Sequence, residues 1–132
     1  MPSTSPATAC TAPSAPGDTR ILPRNRSHDV SAALRGEWLG DDAFLTAFFN
    51  ALSIAFPAGE KFFIDAVRHY ADRIADPALK ANIQGFCGQE GFHRREHQRY
   101  NETLCAARGY DLAALEGTLT RRLHWAQRNL SP

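Results

Sequence analysis

The stretch PALKANIQGFCGQEGFHRREHQRYNETLCAARG, residues 77–109, decides the fold. Asp76-Pro77 opens it, because proline fits the first turn of a helix, and Gly109 closes it as a natural C-cap. No proline interrupts what lies between, so the spacing predicts one long helix over about 77–108. At 3.6 residues per turn, Leu79, Ile83, Phe86, Glu90, His93, His97 and Leu104 share a sector of roughly 80°. An acid and two imidazoles are thereby strung along an apolar stripe.

Upstream, Asp41 or Asp42 is placed to cap the run 43–56, whose Phe44, Leu45, Phe48, Phe49, Leu52 and Ile54 are too dense for a one-sided surface helix. Pro57 either kinks this helix or opens a second segment that reaches about residue 75. Downstream, Asp111 is placed to cap a last helix carrying Leu112, Leu115, Leu119, Leu123 and Trp125. Strand alternation is absent. The expectation is an all-α protein, a bundle of four helical segments joined by short connections. Residues 1–35, rich in Pro, Ser, Thr, Ala and Gly, read as a disordered leader ahead of a helical domain over 36–132. Within the leader, Ile21-Leu22-Pro23 is a stretch that could dock on the domain.

The chain has 132 residues, enough for one domain, with an ordinary globular balance of 43% hydrophobic and 22% charged residues. Fifteen Lys plus Arg against fourteen Asp plus Glu leave a net charge of +1, which carries no electrostatic footprint for nucleic acid or an acidic membrane surface. No unbroken apolar run approaches the ~20 residues of a membrane span, and the N-terminus lacks the pattern of a secretory signal. Cys10, Cys87 and Cys105 are too few and too scattered for a disulfide framework or a cysteine zinc site. On one helix Cys87 and Cys105 are separated by about 27 Å of rise, which forbids a bridge. A reducing, cytoplasmic setting is expected, with Cys87 a small buried hydrophobe.

Glu60 repeats the pattern of the long helix. Phe56, Phe63, Ile64, Val67, Ala71 and Ile74 lie within about 60° of it, which predicts a carboxylate in the middle of an apolar stripe. A lone buried carboxylate costs several kcal/mol, so such groups are paired, neutralised or bound to metal. Two facing helices that share one divalent cation would satisfy Glu60, Glu90, His93 and His97 together, and mixed N/O ligation suits Fe, Mn or Zn. Glu90-Gly91-Phe92-His93 is Glu-x-x-His, which puts both donors on one side of a helix. Dimetal carboxylate bundles of the ferritin type take a single Glu from each of two helices and Glu-x-x-His from each of two others. This chain offers half of that set.

Blander readings compete. Glu60 could pair with Arg68 or Arg94, and Glu-x-x-His recurs by chance. His93-Arg94-Arg95-Glu96-His97 also fits H-x-x-E-H, the inverted zinc-peptidase signature, with Glu96 as general base. Glu96 falls about 60–100° round the helix from the histidines, and Arg94, Arg95 and Arg99 suggest a solvated flank. His69 lies opposite Glu60, and His28 and His124 have no supporting context. Gly85, Gly88 and Gly91 form a small-residue strip suited to close helix approach.

Between about Trp38 and Asp111 the sequence resembles a bacterial family of predicted metal-dependent hydrolases with a ferritin-like fold. The resemblance rests on Leu52-Ser53, Phe56 to Phe63, Val67-Arg68-His69-Tyr70, Asp76-Pro77 with Leu79, Phe86, Gln89-Glu90, His93, Glu96-His97, Tyr100-Asn101 and Gly109-Tyr110-Asp111. It implies a metal-binding helical protein with Glu60, Glu90, His93 and His97 as ligands or near neighbours. The implied activity is hydrolysis; chemically, a cation held by these residues would activate a water, with Glu96 or His97 as proton shuttle, on a small-molecule substrate that the sequence does not identify. The alternatives are a ferritin-like di-iron oxidoreductase, or a module that binds metal or dimerises without turnover. Members of that family are about twice as long, and after Tyr110 the acids here are Asp111 and Glu116, neither in Glu-x-x-His. Either the chain is a remnant, or a homodimer completes the site from two copies.

Overall fold

Three aspartates set the helix starts. The side chain of Asp42 accepts from the backbone N–H of Leu45 at 2.9 Å, Asp76 from Ala78 at 2.8 Å and Asp111 from Ala114 at 3.1 Å. Each such cap is worth about 1 kcal/mol. They open α1 (Ala43–Ala71), α2 (Pro77–Arg108) and α3 (Leu112–Asn129), and Gly109, at φ 70°, takes the left-handed cap that ends α2. The computed structural model describes residues 20–130, and no strand occurs among the described residues.

Among the described residues the fold is all-α, with three α-helices rather than four. Pro57 lies inside α1 and does not divide it, and α1 ends at Ala71 rather than near residue 75. Proline removes the donor for the carbonyl four residues earlier, that of Ser53. Asn101 of α2 donates its Nδ2 to that oxygen at 3.0 Å, so the helix continues at no loss of hydrogen bonding.

The connection over 72–76 turns α2 back against α1, and α3 folds onto α1 without burying any residue fully. The face of α1 against α2 is the row Thr46, Asn50, Ser53, Pro57, Glu60 and Ile64. That row is mostly polar, and Thr46, Asn50 and Ser53 find hydrogen-bond partners on the segments packed against it. Thr46 Oγ1 accepts from the Leu39 N–H at 3.3 Å, and Asn50 Oδ1 accepts from Trp38 Nε1 at 3.0 Å and from the Tyr100 hydroxyl at 2.5 Å. The dense aromatic run instead faces outward, with Phe44 75%, Phe48 52% and Phe63 53% exposed. The periodicity placed Glu60 mid-stripe because Phe56 and Phe63 flank it. In the structure the buried arc is centred about 40° away, and Glu60 stands at its border with the exposed apolar arc. On α2, Leu79 and His93 are likewise exposed rather than buried. By length and composition α1 is also the one helix among the described residues long and apolar enough to cross a bilayer.

Order begins earlier than the sequence suggests. Of the expected leader, residues 1–19 lie outside the described residues, while 20–28 form a strap along α2. The Ile21 N–H reaches Asn82 Oδ1 at 3.0 Å, the Arg24 N–H reaches Gln89 Oε1 at 2.8 Å, and Arg95 Nη2 donates to Asn25 Oδ1 at 2.7 Å. Arg99 binds the Ser27 hydroxyl. A short 3-10 turn, Ala33–Arg35, then buries Leu34. The glycine strip of α2 receives this strap and not another helix. A Cβ on Gly85 would sit 2.1 Å from the Ile21 carbonyl oxygen and one on Gly88 2.8 Å from Pro23, whereas Gly91 faces open space.

Candidate metal centre

Glu60 reaches the α1–α2 interface one turn after Pro57, and Glu90 and His93 project from the adjoining turns of α2. One donor atom from each of the three lies within 4.8 Å of the others. His93 Nδ1 stands 3.9 Å from Glu90 Oε2, and His97, a turn further on, puts Nε2 at 3.9 Å from Glu60 Oε1. The structure thus gathers Glu60, Glu90 and His93, with His97 beside Glu60. Among the described residues neither Arg68 nor Arg94 forms an ion pair with Glu60. Arg94 only opposes the rise in its pKa.

The electrostatics are those of a site short of positive charge. Glu60 is 6% exposed, and its Oε2 has no hydrogen-bond partner. Desolvation and then the charge of Glu90 push its pKa up to about 7. Burial, helped by His93, lowers the pKa of His97 and keeps that ring neutral.

A chain of hydrogen bonds aims His97. Asn101 Nδ2 is committed to the Ser53 carbonyl, so Asn101 Oδ1 accepts from the Ser53 hydroxyl at 2.8 Å. Having given its proton to Asn101, Ser53 Oγ accepts from Nδ1–H of His97 at 2.9 Å. That leaves Nε2 of His97 bare and turned toward Glu60, with the Phe56 ring packed edge-on at 4.6 Å. Support of this kind fixes tautomer and ring orientation at metal-binding histidines. Sequence reasoning missed Ser53 and Asn101 as members of the site. Their signal was present, since Ser53 is four residues before a proline within a helix.

Gln89 fixes the ring of His93 in the other sense. Its Oε1 accepts from the strap at Arg24 and its Nε2 donates to His93 Nε2 at 2.8 Å, which leaves the proton of the neutral ring on Nδ1, facing Glu90, where a bound cation would have to displace it. Glu96 faces away from the three donors. Partial desolvation works against its ionisation, but the hydrogen bond from Arg95 at 2.9 Å and the charge of Arg99 prevail, so its pKa is lowered. Glu96 does, however, line a cleft of about 250 Å³ with His93, His97 and Tyr100, whose other wall is His28 at the end of the strap and the residues after it to Ser31. His69 packs against Tyr70 away from this site, and Cys87 and Cys105 are buried free thiols.

The donors fit a divalent transition metal: two carboxylates and an imidazole with a second imidazole adjacent, one buried oxygen lacking any partner, and a mixed N/O character. Such an arrangement on an antiparallel helix pair defines a candidate metal-binding helical protein. The chain belongs to the family described as predicted metal-dependent hydrolase, which matches over residues 22–132. No curated protein and no solved structure matches it.

Proposed function

We propose that this chain is a metal-dependent hydrolase in which Glu60, Glu90 and His93 hold a divalent Fe, Mn or Zn ion, with His97 as fourth donor. The observation that carries the reading is the buried Glu60, whose Oε2 has no hydrogen-bond partner and whose carboxylate puts one oxygen within 4.8 Å of donors from Glu90 and His93. A cation held there would lower the pKa of a water and polarise a carbonyl or phosphoryl oxygen. Ser53 holds His97 with Nε2 unprotonated, and Gln89 holds the ring of His93. The cleft beside the histidines is small for a ligand site and suits a small molecule. Glu96, ionised and steadied by Arg95 and Arg99 at the cleft wall, is the group to exchange a proton with substrate.

The test is metal analysis of the purified chain, followed by ester and phosphoester hydrolysis with and without added Zn, Mn or Fe. Metal-dependent turnover that is lost in Glu90→Ala supports the reading, and stoichiometric metal binding without turnover on any class argues for a non-catalytic metal module. A second reading is favoured by the pairing of a single Glu on one helix with Glu-x-x-His on the next, the donor pattern of di-iron oxidoreductases. Oxygen consumption by the iron-loaded chain separates the two.

A further inference from the structure

We propose that the exposed apolar face of α1 binds a second copy of this chain, and that the pair of hairpins completes one metal site with two sets of donors. The proposal rests on the metal reading above. Four observations lead to it.

The first is the inside-out character of α1, whose buried row is polar while Phe44, Phe48, Phe49, Leu52, Phe56 and Phe63 meet solvent. From Ala43 to Gly59 no residue carries a charge, so nothing on this face discourages burial. With ~200 Å² for each of the five aromatic side chains and somewhat less for Leu52, those six expose roughly 600 Å² of apolar surface. That matches the largest patch of an ordinary monomer, and with the alanines between them approaches the ~800 Å² per partner of a stable interface.

The second is where this face lies. Glu60 sits at the border between the arc facing α2 and the apolar arc, with Phe49, Phe56 and Phe63 beginning within about 60° of it. In a four-helix bundle that direction is the bundle axis, with α2 to one side and a further helix to the other. On α2, His93, which stands about 60° round from Glu90 on the side away from Cys87, Asn101 and Cys105, is exposed too. For an antiparallel pair both open arcs fall on the same side of the hairpin.

The third is the donor count. One copy presents a single Glu on α1 and one Glu-x-x-His on α2, and two copies present two of each, the full set of a dimetal carboxylate bundle. A two-fold interface duplicates every donor without any new residue. The fourth is the unpartnered Oε2 of Glu60, which is buried at the edge of this face.

The experiment is sedimentation velocity on the full chain, with and without added Zn or Mn, alongside metal titration. Phe48→Glu breaks the face without touching the site, and circular dichroism checks its helicity, with Leu52→Arg as a second variant should it unfold. The expected result is a wild-type dimer tightened by metal, and a folded monomeric variant whose metal affinity falls at least tenfold. A metal-loaded wild-type monomer, or a monomeric variant that binds metal as tightly as the wild type, overturns the shared site and leaves the metal reading intact. A dimer that takes up no metal overturns the metal reading and the shared site with it. Transfer of a wild-type monomer onto phosphatidylcholine vesicles overturns the proposal in favour of a lipid surface.

Discussion

Pro57 and Asn101 lie on different helices, and Asn101 stands in for the hydrogen-bond donor that Pro57 lacks. The amide of Asn101 occupies the Ser53 carbonyl at 3.0 Å, and its remaining oxygen sets the direction of the Ser53 hydroxyl, which in turn sets the proton on His97. A backbone irregularity in α1 is thus transmitted through three side chains to the atom of His97 that faces Glu60.

Asn101→Leu leaves the Ser53 carbonyl and hydroxyl without this partner in a fully buried place, which costs about 2–4 kcal/mol. Pro57→Ala restores a donor within the helix. The two changes are therefore coupled, and Asn101→Leu is expected to cost at least 1 kcal/mol less in the Pro57→Ala background. Urea denaturation of the four proteins measures the cycle, and strict additivity contradicts it.

Ser53→Ala removes the acceptor for Nδ1–H of His97 while leaving every proposed ligand in place. Loss of such outer support weakens metal binding by about 10–100-fold. Isothermal titration of the variant with Zn reads this directly, and Ser53→Thr, which keeps the hydroxyl, is expected to recover most of the affinity.

The pH dependence of the metal-free chain follows from Glu60. Its folded pKa of about 7 lies above the ordinary 4.5, so between those values the folded chain holds a proton that the unfolded chain has lost. The contribution of Glu60 to stability is therefore fully present below about pH 4.5 and is lost as pH rises through 7, by up to about 1.4 kcal/mol per pH unit. His97, with a lowered pKa, works in the opposite sense below its ordinary value of 6.5. Subtracting the stability curve of Glu60→Gln from that of the wild type isolates the Glu60 part, which is expected to decline from pH 5 to 7.

Gly85→Ala is expected to detach the strap while leaving α2 intact. The added Cβ would meet the Ile21 carbonyl at 2.1 Å, a clash with backbone that the strap must leave to relieve, whereas the helix itself gains about 1 kcal/mol of propensity. Hydrogen exchange at the Arg24 amide, now bound by Gln89, reports the release. Unchanged protection there contradicts this account of the glycine strip.

Much of this was legible in the sequence. Asp42, Asp76, Asp111 and Gly109 mark helix ends by local chemistry, and the structure uses each of them. Glu90 and His93 could be paired because a three-residue spacing on a helix leaves little choice of geometry, and Glu60 because a carboxylate among apolar neighbours needs a partner. What was not legible depended on contacts distant in sequence. Pro57 could be read as a kink or as a boundary because its compensation comes from Asn101, 44 residues away from Pro57 and on another helix. The buried face of α1 was misjudged because periodicity finds the apolar arc and assumes that it points inward. Here the inward arc is polar, with Asn50 and Ser53 satisfied by Trp38, Tyr100 and Asn101 and Glu60 left with an unpartnered oxygen. The glycines of α2 signalled close approach, but only the structure shows that the strap fills it.

The central claim is that Glu60, Glu90 and His93 grip a cation together. Its most direct test is metal content and Zn or Mn titration of the wild type beside Glu60→Ala, Glu90→Ala and His93→Ala, with Glu116→Ala as a control outside the group. Stoichiometric metal in the wild type and control, with a large loss in each of the three variants, is the predicted result. A wild type that binds no divalent transition metal at neutral pH, or three variants that bind it as well as the control, would contradict the claim.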